Sequence, residues 1–136
     1  MSKSEIADGG CLLILDKPED IMRAFKRAVT DSETQVRYDT ENKPGVSNLI
    51  QIYSACTGKT FKDIESEFAG QGYGSFKTCV GEAVVETLRP IRDNALKILA
   101  DKAYLESVYK QGAEKASYAA NKTLRKVYKK IGFIEA

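Results

Sequence analysis

The chain has 136 residues, 43% of them hydrophobic and 29% charged, with a formal charge of +2, which is the composition of one globular domain and not of a disordered segment. It contains no His, which excludes a Ser-His-Asp triad, a Cys-His pair, imidazole acid–base chemistry and a His-ligated metal. Catalysis, if any, is left to Lys, Ser, Tyr, carboxylates or backbone groups.

Residues 1–10, MSKSEIADGG, are small and polar and read as a flexible loop. Residues 11–15, CLLIL, form an apolar run that suits either a buried strand or a hydrophobic lead-in to a helix. Asp16 with Glu19, and Pro18 between them, make a capping-box pattern for a first helix near 17–29, in which Ile21, Phe25, Ala28 and Val29 recur at helical spacing. Residues 30–46 carry no helical period and contain Pro44-Gly45. They read as a long connection, with Val36 and Tyr38 pointing one way if extended. The run Thr30-Asp31-Ser32 is equally a helix stop whose side chains tie down backbone.

Ser47 opens a second helix through Leu49, Ile50, Tyr53 and Cys56, stopped by Gly58. Thr60 with Asp63 caps a third, which buries Phe61, Ile64 and Phe68 and ends at Gly70. The longest pattern runs from Phe76 through Val80, Ala83, Val84, Leu88, Ile91, Ala95, Ile98 and Leu99. Gly81 weakens it and Pro90 is expected to kink it. Asp101 caps a short helix carrying Tyr104, Leu105 and Val108, and a last helix from about 112 to 131 has the apolar seam Ala116, Ala120, Leu124, Val127 and Ile131, closed by Gly132. The expected class is mainly α, a helical bundle with a flexible N-terminal loop and at most one short strand.

Two phosphate-binding patterns are decoys. Gly58-Lys59-Thr60 lacks the Gly that a P-loop needs five positions earlier, where Tyr53 stands, and Gly70, Gly72 and Gly74 are one place short of a dinucleotide fingerprint. The three cysteines, Cys11, Cys56 and Cys79, are too few and too far apart for a zinc tetrahedron, so no metal is expected. They read as small buried hydrophobes of a reducing, cytoplasmic compartment. No segment reads as a signal peptide or a membrane span.

Charge is unevenly spread. Residues 1–68 hold 9 basic and 12 acidic groups, and residues 69–136 hold 12 basic and 7 acidic groups. Lys115, Lys122, Arg125, Lys126, Lys129 and Lys130 fall within 115–130 with no acid among them. Such a stretch attracts phosphate backbones, or is simply a solvated face with cations near a helix C-terminus.

Several blocks carry a family resemblance. Met1-Ser2-Lys3-Ser4 matches the end of the KMSKS signature of class I aminoacyl-tRNA synthetases. Lys26-Arg27-Ala28-Val29-Thr30-Asp31-Ser32, Val36-Arg37-Tyr38-Asp39, Lys43-Pro44-Gly45-Val46-Ser47-Asn48-Leu49 and Ile52-Tyr53-Ser54 follow. Gly72-Tyr73-Gly74 with Phe76-Lys77, Glu82-Ala83-Val84-Val85-Glu86, Leu88-Arg89-Pro90-Ile91 and Gly112-Ala113-Glu114-Lys115-Ala116 complete the set. In order and spacing the chain resembles the C-terminal part of bacterial tryptophanyl-tRNA synthetases, starting inside KMSKS. The Rossmann-type domain with its HIGH-like motif would then lie before residue 1.

The resemblance implies that residues 1–16 are a remnant of the KMSKS loop and the end of the catalytic domain, and that 17–136 are a helical anticodon-binding domain. It implies ATP-binding roles for Met1, Ser2, Lys3 and Ser4, with Lys3 catalytic. ATP with Mg would serve the full enzyme, and none is expected to bind this fragment tightly. The implied partners are tRNA for tryptophan and the catalytic domain of the same enzyme, with tryptophan bound only through the missing half. The full enzyme is expected to be a homodimer and the fragment a monomer, inactive by itself. By charge, the expected tRNA contacts are Lys115, Lys122, Lys126 and Lys129 on one helix face, with Arg37 and Lys43 as second choices. The alternative is a free-standing helical RNA-binding or protein-interaction module without catalysis.

Overall fold

A computed structural model describes residues 11–133. Among them five helices and no strand are found: α1 (Pro18–Arg27), α2 (Pro44–Thr57), α3 (Phe61–Glu67), α4 (Gly72–Ala100) and α5 (Lys102–Ile131). The chain divides into two compact units, Met1–Asp93 and Asn94–Ala136. The division falls inside α4, just past Pro90, where the missing N–H removes one ladder bond.

The first unit is built around twelve buried apolar residues. Ile21 and Phe25 come from α1, Val36 from the connection, and Val46, Leu49, Ile50 and Tyr53 from α2. Ile64 and Phe68 come from α3 and its C-cap, and Phe76, Val80 and Val84 from α4. Each fully buried side chain of this size contributes roughly 1.5–3 kcal/mol. Three aromatic rings join α2, the end of α3 and α4. Phe68 and Phe76 lie 4.9 Å apart, and Tyr53 meets them edge-on at 5.7 and 6.1 Å.

Two glycines are required by close approach. A Cβ at Gly45 would run into the Val29 carbonyl, which is backbone and cannot yield. A Cβ at Gly81 would stand 2.8 Å from the Met22 sulfur and 3.5 Å from the Phe25 Cβ, so the glycine that weakens α4 lets α1 lie against it.

Helix ends follow the expected signals in several places. Gly58 and Gly132 take left-handed C-cap conformations. Thr60 and Asp63 form a reciprocal capping box, and the Asp101 carboxylate accepts from the Tyr104 N–H at 2.9 Å.

Other ends correct the sequence expectations. Asp16 does not cap α1. Its carboxylate accepts from the Leu13 N–H at 2.8 Å, closing a turn over the apolar run, while Lys17 takes the cap position with no side-chain bond. The run 11–15 is therefore a lead-in and not a strand, with Leu13, Ile14 and Leu15 about half exposed. The second helix starts at Pro44, not Ser47. Pro is well suited to a first helical position, and Ser47 is buried, accepting from the Asp39 N–H at 2.8 Å. The expected short helix after Asp101 and the last helix are one element, because Gly112 sits inside α5 without breaking it. The cost of a helical Gly, about 1 kcal/mol, is small against the favourable residues on either side.

The second unit holds the end of α4 and all of α5. No residue of α5 is buried. Among the described residues no helix is long and apolar enough to cross a membrane.

Candidate nucleic-acid interface

The lysines of α5 are placed by helical geometry. With 100° per residue, Lys115, Lys122, Lys126 and Lys129 fall within an arc of roughly 60° and span about 21 Å. All four are exposed. The seam Ala116, Ala120, Leu124, Val127 and Ile131 lies on the opposite side of the same helix by the same rotation. Lys129 and Lys130 also stand in the last turn, where the helix dipole favours cations. This face can meet a row of phosphates, which fixes position but carries no sequence information.

Arg37 and Lys43 belong to the first unit, and the structure separates their roles. Arg37 is about half exposed and its Nη1 lies 3.1 Å from Asp39 Oδ2. Asp39 is held below the usual carboxylate range, first by hydrogen bonds from Asn42 and then by Arg37.

Lys43 is a correction. Its side chain is 1% exposed, and its ammonium lies 2.5 Å from Glu33 Oε2, 3.2 Å from Asp31 Oδ1 and 2.9 Å from the Tyr73 hydroxyl. A cation enclosed and neutralised in this way is not available to a phosphate. Burial by itself would lower the Lys43 pKa, but the bonds to Glu33, Tyr73 and Asp31 outweigh it and raise it.

The partners of Lys43 were not visible as a site in sequence. Asp31 Oδ1 accepts from Tyr73 at 2.7 Å and from the Glu33 N–H at 2.8 Å. It is held below the usual carboxylate range by Tyr73 first and by Glu33 and Lys43 next, against the burial that opposes them. Its other oxygen, Oδ2, is buried without a hydrogen-bond partner. Burial pushes the Tyr73 hydroxyl up. The cluster fastens the start of the long connection to the N-cap residue of α2 and to the first turn of α4. Thr30-Asp31-Ser32 thus does tie down backbone, but it also binds a lysine twelve residues on and a tyrosine forty-two residues on.

Val36 and Tyr38 do point to the same side, both against the core. Tyr38 is fixed at three places. Its N–H donates to Glu65 Oε1 at 2.7 Å, its hydroxyl accepts from Gln51 at 2.8 Å, and its ring stacks on Phe61 at 4.4 Å. Beside it an open groove of about 170 Å³ is lined by Gln35, Val36, Arg37, Glu65, Ala69 and Gly70.

Met1, Ser2, Lys3 and Ser4 lie outside the described residues. Among the described residues no group of three or more Cys, Asp or Glu could hold a metal ion.

Residues 1–89 match the family described as tRNA synthetases class I (W and Y). The chain is 51% identical over 134 residues to a tryptophan–tRNA ligase of Clostridium tetani, covering 98% of this chain and 39% of that protein. It is 49% identical over 134 residues to the tryptophan–tRNA ligase of Clostridium acetobutylicum, covering 98% of this chain and 40% of that one. The chain therefore spans about 40% of the length of the curated relatives it matches. The crystal structure of tryptophanyl-tRNA synthetase from Mycoplasma pneumoniae shares the fold, with a TM-score of 0.67 at 24% identity over 99% of this chain and 42% of that chain.

Proposed function

Because this chain belongs to the class I tRNA synthetases of the W and Y family, we propose that it serves as the tRNA-facing, C-terminal part of a tryptophan–tRNA ligase. The observation that carries this reading is the identity of about half to tryptophan–tRNA ligases over nearly the whole chain. The exposed lysine face of α5 supports it physically.

In this reading residues 17–136 receive the anticodon region of the tRNA for tryptophan. Lys115, Lys122, Lys126 and Lys129 hold backbone phosphates, with Arg37 as a further contact. Residues 1–16 are a remnant of the KMSKS loop and the end of the catalytic domain, serving ATP-dependent activation of tryptophan in the full enzyme, with Met1, Ser2, Lys3 and Ser4 around ATP and its Mg. A lysine ammonium at position 3 stabilises charge that builds on departing pyrophosphate, an interaction stronger in the transition state than in bound ATP. Tryptophan itself is bound by the catalytic domain, and the whole enzyme works as a cytoplasmic homodimer.

The test uses the 136-residue chain. It should bind the tRNA for tryptophan with an affinity that falls steeply and linearly on a log–log plot against salt. It should give no tryptophan-dependent pyrophosphate exchange. Exchange by the chain alone, or tRNA binding indifferent to salt, would overturn the reading.

A further inference from the structure

We propose that α5 pairs with the α5 of a second copy of this chain, antiparallel and about a two-fold axis level with Tyr118, through the apolar seam that faces away from its lysines. The inference goes beyond the tRNA-binding reading and does not depend on it. It also departs from the monomer expected of the isolated chain.

The single chain leaves this seam uncovered. α5 is 30 residues long and none of them is buried, whereas helices in folded proteins are held mostly by packing an apolar face. Tyr109 is 69% exposed, Leu124 and Val127 are 44% exposed and Ile131 is 58% exposed. The seam runs from Leu105 to Ile131 in steps of three and four residues, the period of a nearly straight helix. By rotation all of it falls within an arc of roughly 120°.

The seam is its own complement. Each position lies as far before 118 as its mate lies after it. An antiparallel copy therefore sets Leu105 against the second copy's Ile131, and Tyr109 against its Val127. Further in, Gly112 faces Leu124. At the centre Ala116 faces Ala120, small residues that let the two backbones come close. Gly112 weakens the helix it stands in, and in the single chain nothing lies within 4 Å of a Cβ placed there. In the pair that space receives a leucine.

Charge selects the direction. Residues 101–114 carry Asp101, Glu106 and Glu114 against Lys102 and Lys110, a balance of −1, and residues 115–131 carry six bases and no acid. A parallel pair lays two strongly basic halves side by side. The antiparallel pair lays each basic half along a slightly acidic one and opposes the two helix dipoles. Lys115, Lys122, Lys126 and Lys129 stay on the outer side by the same rotation, so pairing leaves the lysine face open.

Area sets the strength. From 105 to 131 the seam is about 39 Å long and roughly 10 Å wide, so about 400 Å² of each helix is covered. Stable specific interfaces bury about 1,200 Å² or more in total, and smaller ones are weak and reversible. The pair should therefore form with rising concentration and come apart on dilution.

Sedimentation velocity of the 136-residue chain between about 5 μM and about 500 μM tests this, a range that brackets a weak pair. The sedimentation coefficient should climb from that of one chain toward that of two. Ala120→Glu places a carboxylate at the centre of the seam while keeping helix propensity close to that of alanine. Its association should fall about tenfold or more, with α5 retained by circular dichroism. Tyr118→Ala, on the outer side, should associate as the wild type does. Tyr109→Glu and Val127→Lys should each weaken association, and an equal mixture of the two should associate better than either alone, because only the antiparallel register brings these positions together. A wild-type chain that stays single throughout, an Ala120→Glu chain that pairs like the wild type, a Tyr118→Ala chain weakened as much as Ala120→Glu, or a mixture no better than its parts overturns the pairing. The seam then belongs to another occupant, the catalytic domain of the proposed enzyme. Binding of tRNA and its salt dependence are measured separately, so the tRNA-binding reading stands or falls by itself.

Discussion

Lys43 and Asp31 form an ion pair 3.2 Å long in which the lysine is 1% exposed. A lysine this enclosed is tolerated because Glu33 and Tyr73 complete its bonds. Removing the lysine leaves the partly buried Asp31 and the Tyr73 hydroxyl without their cation, while the more exposed Glu33 returns to water. Lys43→Met is therefore expected to lower the melting temperature by roughly 10 °C. Lys43→Arg, too large and planar for the space, should also lower it. Thermal denaturation followed by circular dichroism checks both. A melting temperature unchanged in Lys43→Met would show that the cluster holds nothing.

The same cluster sets a pH dependence. The folded pKa of Asp31 lies below its ordinary 3.8, so its contribution to stability is complete above pH 3.8 and is lost as pH falls through the lower, folded value. The folded pKa of Lys43 lies above 10.5, so its contribution is complete below pH 10.5 and disappears as pH rises through the folded value. The melting-temperature gap between wild type and Asp31→Asn should stay constant from neutral pH down to about pH 4 and shrink below it. A gap that widens in acid would contradict this.

Three glycines should respond differently to alanine. At Gly45 the new Cβ meets the Val29 carbonyl, so destabilisation of about 2 kcal/mol or more is expected. At Gly81 it meets the flexible end of Met22, and a helix-propensity gain of about 1 kcal/mol offsets much of the clash. At Gly112 nothing lies within 4 Å, so alanine should stabilise α5 by about 1 kcal/mol. Chemical denaturation of the three variants ranks them. A destabilising Gly112→Ala would argue that α5 is interrupted there.

The lysine face of α5 can be counted by salt. Lys122→Ala with Lys126→Ala should weaken tRNA binding similarly for different tRNA sequences and reduce the slope of log affinity against log salt by about 2, or somewhat less. An unchanged slope would remove these two lysines from the phosphate contacts.

Several helix caps were legible in sequence because their chemistry is local. Gly58, Thr60 with Asp63, Asp101 and Gly132 each act within a few residues of themselves. The start of α2 was not legible. Ser47 is a good cap residue, but a tertiary bond to the Asp39 N–H claims its hydroxyl, and the helix begins three residues earlier. Asp16 was diverted in the same way by a turn. Lys43 looked like a surface cation because its enclosing partner Tyr73 is thirty residues away. The basic face of α5 was readable because its residues share one helix. The groove was hidden because it joins residues 35–37 to residues 65–70, and no local period links the two.

The enclosure of Lys43 also divides the chain's electrostatics by their response to ions. Mobile ions surround the exposed lysines of α5 and weaken them within a Debye length of about 8 Å at physiological strength, but they screen the buried Lys43 ammonium and its bond to Asp31 much less. Raising salt should therefore release RNA while leaving the fastening of the long connection intact. Salt would act on the α5 face and leave the anchoring of residues 30–43 almost untouched.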